Sequence, residues 1–280
     1  VKRFMSHNEE RKSLMIPKIM GILNLTEDSF SDGGRYITED ESLKRANELI
    51  AEGADIIDLG AESTRPGSCG VSAEIQIERL SPIIMRLRQD HPETDISIDT
   101  QDSLVAEYAI KLGASIINDI SALRTDENMA RIIAKNPKTK IILMHMQGTP
   151  QTMQDNPYYE DVISEVLAFF EERIDYAQSC GIDRDRIIID PGIGFGKNLQ
   201  HNLSLLSNLK AFKELDVPVI LGASRKRFID NISPALVDRR IAGSLATTLF
   251  ALDAKLDYIR VHDVFEHHQF IKVFSAINGG

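Results

Sequence analysis

Eight short apolar runs punctuate the chain, at 19–25, 56–59, 96–98, 116–117, 141–146, 187–189, 219–221 and 259–261. Each is too short for a helix, and together they read as strands covered on both faces. Helix-length segments separate them. In 39–53, Leu43, Ala46, Leu49 and Ile50 keep to one helical face, and Gly53 ends the pattern. Comparable segments are 73–89, 103–112, 127–135, 159–179, 199–215, 238–254 and 265–277. Several stop at a glycine, as at Gly113 and Gly181, or before a proline, as at Val217–Pro218. Strand then helix, eight times over, predicts an α/β chain folded as a single-domain (β/α)8 TIM barrel over 18–280. Residues 1–17 would form an N-terminal tail. A doubly wound open sheet is the structural alternative. It would usually place a glycine-rich turn after the first strand, where this chain reads Thr26 to Gly34 instead.

Nearly every run finishes on a polar residue: Asn24, Asp58 with Glu62, Asp99, Asn118, His145, Asp190, Ser224, and Arg260 with His262. In a closed barrel of parallel strands all these ends face one mouth. Residues scattered over 240 positions would then share one pocket. Two strand-to-helix loops, 26–37 and 63–72, are long enough to hang over that mouth.

Composition narrows the partners. With 280 residues and 42% hydrophobic content the chain can bury a substantial core. A net charge of −10 without a basic run argues against a nucleic-acid partner, while a few local cations could still hold a small anion. Cys69 and Cys180 are far apart and form no CxxC pair, so a reducing cytoplasm is the expected location. The first seventeen residues lack the apolar stretch of a signal peptide, and no run reaches membrane-spanning length, so no membrane partner is expected.

The strand ends carry the candidate chemistry. Asp190-Pro-Gly-Ile-Gly-Phe-Gly-Lys197 is neither a Walker A loop nor a dinucleotide GxGxxG; its bland alternative is a flexible strand-to-helix turn with Asp190 as a cap or salt-bridge partner. Gly222-Ala-Ser-Arg-Lys226 would let a ligand approach the backbone beside a cation; its bland alternative is a loop with two solvated charges. Arg260 and His262 alternate, so they face the same way, and loops after strands seven and eight of such barrels often hold phosphate. The bland alternative there is an Arg–Asp surface pair. Asp58, Asp99 and Asn118 could simply bond one another, and His145 between two methionines reads as a satisfied strand-end histidine. No HxH, HExxH or Cys/His set suggests a protein-held zinc, and no nucleophile–base pair is evident.

Taken in order, these stretches resemble the dihydropteroate synthases of the pterin-binding barrel family. The resemblance is carried by Asn24 to Gly34, Ala61 to Gly67, Ser97 to Thr100, Ile117 to Ile120, Met144 to Gly148, Asp190 to Lys197, Gly222 to Lys226 and Arg260 to Asp263. It implies attack of p-aminobenzoate on 6-hydroxymethyl-7,8-dihydropterin diphosphate in folate biosynthesis, giving 7,8-dihydropteroate and pyrophosphate with Mg2+ as cofactor. It implies a pterin site of Asp99, Asn118, Met144, Asp190, Lys226 and Arg260, and a diphosphate site of Asn24, Arg260 and His262, with Asn24 also on the metal. Phe30, Thr64, Arg65, Pro66, Phe195 and Ser224 would form the p-aminobenzoate pocket, where sulfonamides would compete. Asp32, Lys226 and Arg260 would be catalytic, Asp32 stabilising a pterin-methylene cation in a dissociative reaction. The family habit also implies a homodimer. One departure is Glu27, where the family usually carries proline, which frees the first loop to sample more conformations. A methyltetrahydrofolate–corrinoid methyltransferase would share the pterin pocket but not need the 63–66 loop. A non-catalytic pterin carrier should have lost Phe30, Asp32, Arg65 and Lys226.

Overall fold

The computed structural model describes residues 15–25, 38–62 and 70–279. Along the chain lie β1 (Lys18–Asn24), α1 (Glu39–Glu52), β2 (Ile56–Gly60), α2 (Ala73–Asp90), β3 (Asp95–Asp99), α3 (Ser103–Lys111) and β4 (Ile116–Asp119). They continue with α4 (Glu127–Lys135), β5 (Lys140–Met144), α5 (Val162–Ser179), β6 (Ile187–Asp190), α6 (Leu199–Ser207), α7 (Leu209–Phe212) and β7 (Ile220–Leu221). The last are α8 (Arg227–Ile232), α9 (Ile241–Asp253), β8 (Tyr258–Val261) and α10 (Val264–Ile277). The strands run parallel in the order β6-β5-β4-β3-β2-β1-β8-β7. A single bridge between Ile189 and Val219, with Ile189 N–H on the Pro218 carbonyl at 3.0 Å, joins the two ends. The (β/α)8 barrel is thereby closed.

Alternation along each strand sends one set of side chains outward and the other inward. Outward residues such as Ile57, Leu59, Ile96, Ile98, Ile141 and Leu143 join Leu49, Leu80, Ile84 and Phe170 of the helices in the main core. The inward set Met20, Ile56, Ile116, Ile142, Ile188, Ile220 and Tyr258 forms a second buried cluster along the barrel axis. Two residues further along the same strands the inward positions are Ile22, Asp58, Asn118, Met144, Asp190, Gly222 and Arg260. The apolar floor thus gives way to a polar layer at the carboxyl ends of the strands. Register brings the layer together, pairing Gly60 with Asp99, Asp99 with Asn118, and Met144 with Asp190.

Helix starts follow side-chain caps. Thr38 and Glu41 form a reciprocal capping box on α1, and Gly53 ends that helix with φ +106°. The segment predicted from residue 159 becomes helical only at Val162, because the Asp161 carboxylate accepts the Ile163 N–H at 3.1 Å and fixes the start. The segment predicted over 199–215 is broken at Asn208 into α6, α7 and a 3-10 turn. That predicted from 238 starts at Ile241, after a 3-10 turn at Val237–Arg239. Helix α8, between β7 and α9, is an addition to the predicted pattern.

Candidate active site

Arg260 sits at the centre of the polar layer. Its Nε lies 2.7 Å and its Nη2 2.6 Å from Asp58 Oδ2, and Nη2 also lies 2.9 Å from Asp99 Oδ2. Asp58 is wholly buried, so one edge of the guanidinium is committed to carboxylates while Arg260 itself keeps partial access to the mouth. Burial opposes the arginine's charge, but Asp58 and Asp99 outweigh it and leave its pKa above the ordinary value. Asp99 is pushed up to about 7, chiefly by burial, with Arg260 pulling the other way and Asp58 adding to the push. The surface-pair alternative for Arg260 is therefore overturned: its partners are interior, and Asp263 pairs instead with Arg225.

Asp190 ends β6 with Oδ1 accepting the Gly192 N–H at 2.8 Å. A Cβ on Gly222 would stand 3.2 Å from Asp190 Oδ2 and 3.8 Å from Lys226 Nζ. The missing side chain thus leaves an acceptor and a donor bordering the same space. Burial raises the Asp190 pKa, with Lys226 and the Gly192 N–H opposing. Burial brings Lys226 down to about 8, partly offset by Asp190. Lys226 donates to the Ile193 carbonyl and lies 4.6 Å from the Phe195 ring centroid, so it is not a solvated charge. Phe195 packs on a cluster of Ile120, Met144, Met146 and Met153, which walls one side.

On the other side, Ser224 Oγ accepts the His262 N–H at 3.2 Å and lies 3.0 Å from His262 Nδ1. Its hydroxyl hydrogen is then available to Nδ1, which leaves the proton of a neutral imidazole on Nε2 as a donor. Burial and the nearby Arg260 and Arg225 charges hold His262 down at about 3. Arg225 has φ +57° and is held there from three sides. Its N–H donates to Ser244 Oγ at 2.9 Å, its carbonyl accepts from Arg240 at 3.2 Å, and its guanidinium grips Asp263. A Cβ on Gly60 would approach Asn24 Oδ1 to 3.2 Å, so Gly60 gives that amide its room at the end of β1.

A family model described as pterin binding enzyme matches residues 20–262. The dihydropteroate synthase of Haemophilus influenzae is 42% identical over 269 residues, which cover 96% of this chain and 97% of that protein. The chain belongs to the dihydropteroate synthase family. It is accordingly a transferase. The crystal structure of the Yersinia pestis dihydropteroate synthase with a sulfonamide drug complex is similar, with TM-score 0.89, 37% identity, and coverage of 94% of this chain and 95% of that one. The Xanthomonas albilineans dihydropteroate synthase with 4-aminobenzoic acid gives TM-score 0.88 and 40% identity, covering 95% of each chain.

Of the residues that the dihydropteroate synthase resemblance implied, Asn24, Asp99, Asn118, Met144, Asp190, Phe195, Ser224, Lys226, Arg260 and His262 all lie at or just beyond the carboxyl ends of the strands. Ser224, expected beside p-aminobenzoate, has its hydroxyl engaged with His262. Phe30, Asp32, Thr64, Arg65, Pro66 and the departure at Glu27 lie outside the described residues. Asp58 was legible only as a polar residue within strand two, and its grip on Arg260 is new. Lys197 was legible only as the end of a motif, yet it is buried and bonded to His145. Its sole sequence signal was a lysine directly after a glycine-rich turn that lacks any acidic neighbour beyond Asp190. Among the described residues no three His, Cys, Asp or Glu side chains gather as a metal cage.

Proposed function

We propose that this protein condenses 6-hydroxymethyl-7,8-dihydropterin diphosphate with p-aminobenzoate, forming 7,8-dihydropteroate and pyrophosphate. The observation that carries the site assignment is that Asp190 Oδ2 and Lys226 Nζ both border the space left by Gly222. A pterin edge offers N–H donors beside ring acceptors. Asp190 Oδ2 accepts from the former and Lys226 donates to the latter, where Gly222 leaves room. Asp99 and Asn118 complete the edge, Met144 lines the ring, and the free face of Arg260 stacks on it, since the Nε edge is already held by Asp58.

The methylene carbon–oxygen bond breaks and pyrophosphate departs with the electron pair. His262, neutral and with Nε2–H as donor, and Asn24 and Arg260 face the diphosphate. Mg2+, when bound by the diphosphate oxygens and Asn24, would offset the leaving group's charge. Asp32 stabilises the pterin-methylene cation, by its place in the family motif. The amine nitrogen of p-aminobenzoate attacks that carbon and loses its proton to water, so no enzyme nucleophile is required. Phe195 and Ser224, with Phe30, Thr64, Arg65 and Pro66, form the aromatic amine's pocket.

The active form is a homodimer. Leu249 and Phe250 of α9 and Phe265, Val273 and Ile277 of α10 are exposed, an apolar surface suited to a second copy. Its expected location is the cytoplasm, supported by a pair of well-separated cysteines; among the described residues no helix is long and apolar enough to cross a membrane. The test is direct. Purified protein given Mg2+, pterin diphosphate and p-aminobenzoate should release pyrophosphate and dihydropteroate in equal amounts. No product, under conditions where a control synthase turns over, rejects the reading.

A further inference from the structure

The loop after β6 lies against the chain leaving β5 more closely than any side chain would allow. Gly192 and Gly196 have φ +68° and +62°. A Cβ on Gly192 would stand 1.9 Å from the His145 carbonyl oxygen, and one on Gly196 would stand 2.6 Å from that of Gln147. Lys197 fastens the contact. It is 3% exposed, and its Nζ lies 2.9 Å from His145 Nδ1, 3.3 Å from the His145 carbonyl and 2.9 Å from the Phe195 carbonyl. Three acceptors around one amine match the three donors of an ammonium, and none of the three is a carboxylate. Burial, then the Lys197 and Arg124 charges, hold His145 down at about 2, so its ring stays a neutral acceptor. Burial pulls the Lys197 pKa well below the ordinary lysine value, with Asp190 opposing, because a buried cation is costly even with its bonds made. The fold accepts that cost at the one loop that carries the Ile193 carbonyl for Lys226 and the Phe195 ring.

We propose that Lys197, with His145 as its acceptor, is a positioning residue that fixes the β6 loop on the end of β5 and so sets Phe195 for the aromatic amine. The proposal rests on the synthase reading above. It also predicts a split between the two substrates. The Asp190 backbone is held apart from the loop, by the ladder of β6 and by the His145 N–H on its carbonyl at 3.0 Å, and Lys226 stands on the separate segment after β7. The Phe195 backbone depends on the loop, its N–H bonding the Gly192 carbonyl at 3.0 Å and its carbonyl taking Lys197, while its ring packs on Ile120, Met144, Met146 and Met153.

Steady-state kinetics on the full chain test this with Lys197→Met and His145→Phe. The latter keeps a ring against Phe169, now 4.7 Å away, and removes both ring nitrogens, the Nδ1 acceptor of Lys197 among them. Lys197→Met should raise the KM for p-aminobenzoate about tenfold or more, while that for pterin diphosphate changes by less than about threefold. His145→Phe should move the same constant in the same direction by less, and the double variant should be no worse than Lys197→Met alone. An unchanged p-aminobenzoate KM in a folded variant, or equal rises in both constants, overturns the proposal. If Lys197→Met does not fold, the split in His145→Phe decides. Wild-type protein that fails to turn over defeats the synthase reading itself; wild-type turnover without the split defeats only this inference.

Discussion

Replacing Asp190 by asparagine should do more harm than a one-atom change suggests. The Gly192 N–H lies 2.8 Å from Oδ1, so an amide at residue 190 will keep its oxygen there. Its NH2 group is then forced into the place of Oδ2, the atom that Gly222 leaves accessible beside Lys226. A ligand N–H arriving there meets a donor instead of an acceptor. Losing the charge-assisted bond costs about 1.5–3 kcal/mol, and leaving the buried donor unmatched costs about 1–3 kcal/mol more. Pterin affinity should therefore fall by about 2.5–6 kcal/mol, or roughly 70- to 25000-fold. Calorimetric titration with 6-hydroxymethylpterin measures it, with thermal melting to show that the variant is folded. Asp190→Ala, where water can enter the vacated space, escapes the second contribution and should bind more tightly than Asp190→Asn. A loss below about tenfold, 1.4 kcal/mol, would mean that Asp190 serves the loop and not the ligand.

Asp58→Asn removes the charge that holds two nitrogens of Arg260 at 2.7 and 2.6 Å. It should lower stability by about 2–3 kcal/mol, seen as a melting temperature lower by roughly 5–10 °C; an unchanged melting curve would show that Asp99 alone suffices. Gly222→Ala places a methyl 3.2 Å from Asp190 Oδ2 and should weaken pterin binding by about tenfold or more without changing the melting temperature much. Equal affinity would show that the ligand enters elsewhere. Because burial lowers Lys226 to about 8, its cation is present below that pH and lost above it. Thus kcat/KM for pterin diphosphate should fall above about pH 8, a limb that Lys226→Arg should move beyond pH 10, and an unmoved limb assigns it to another group.

Strand existence and order were legible because both faces of each strand are covered, which writes unbroken apolar runs. Their ends were not, since inward Asp99 and Asp190 and outward Asp119 continue the ladder while breaking the apolar pattern. Helix α8 escaped notice because six residues cannot establish a helical period. The site's residue types could be read at the strand ends, yet their pairings could not. Asp58 and Arg260 are 202 residues apart, and Lys197 and His145 are 52 apart. Nothing local to either residue encodes such a partner; only closure of the barrel and the register of β2, β5, β6 and β8 bring them together.

That closure has a seam. Every other strand pair shares a ladder, whereas β6 and β7 meet through one bridge, and β7 is only two residues long. Local opening is easiest where the fewest backbone bonds must break. Asp190 stands on one side of the seam and Gly222 and Lys226 on the other, so a ligand held by both Asp190 and Lys226 acts as a missing rung. The amides of Ile189, Ile220 and Leu221 should then exchange with solvent deuterium more slowly once pterin is bound, out of proportion to those on β3 and β4. Substrate recognition and the cohesion of the barrel wall become, at that seam, the same set of bonds.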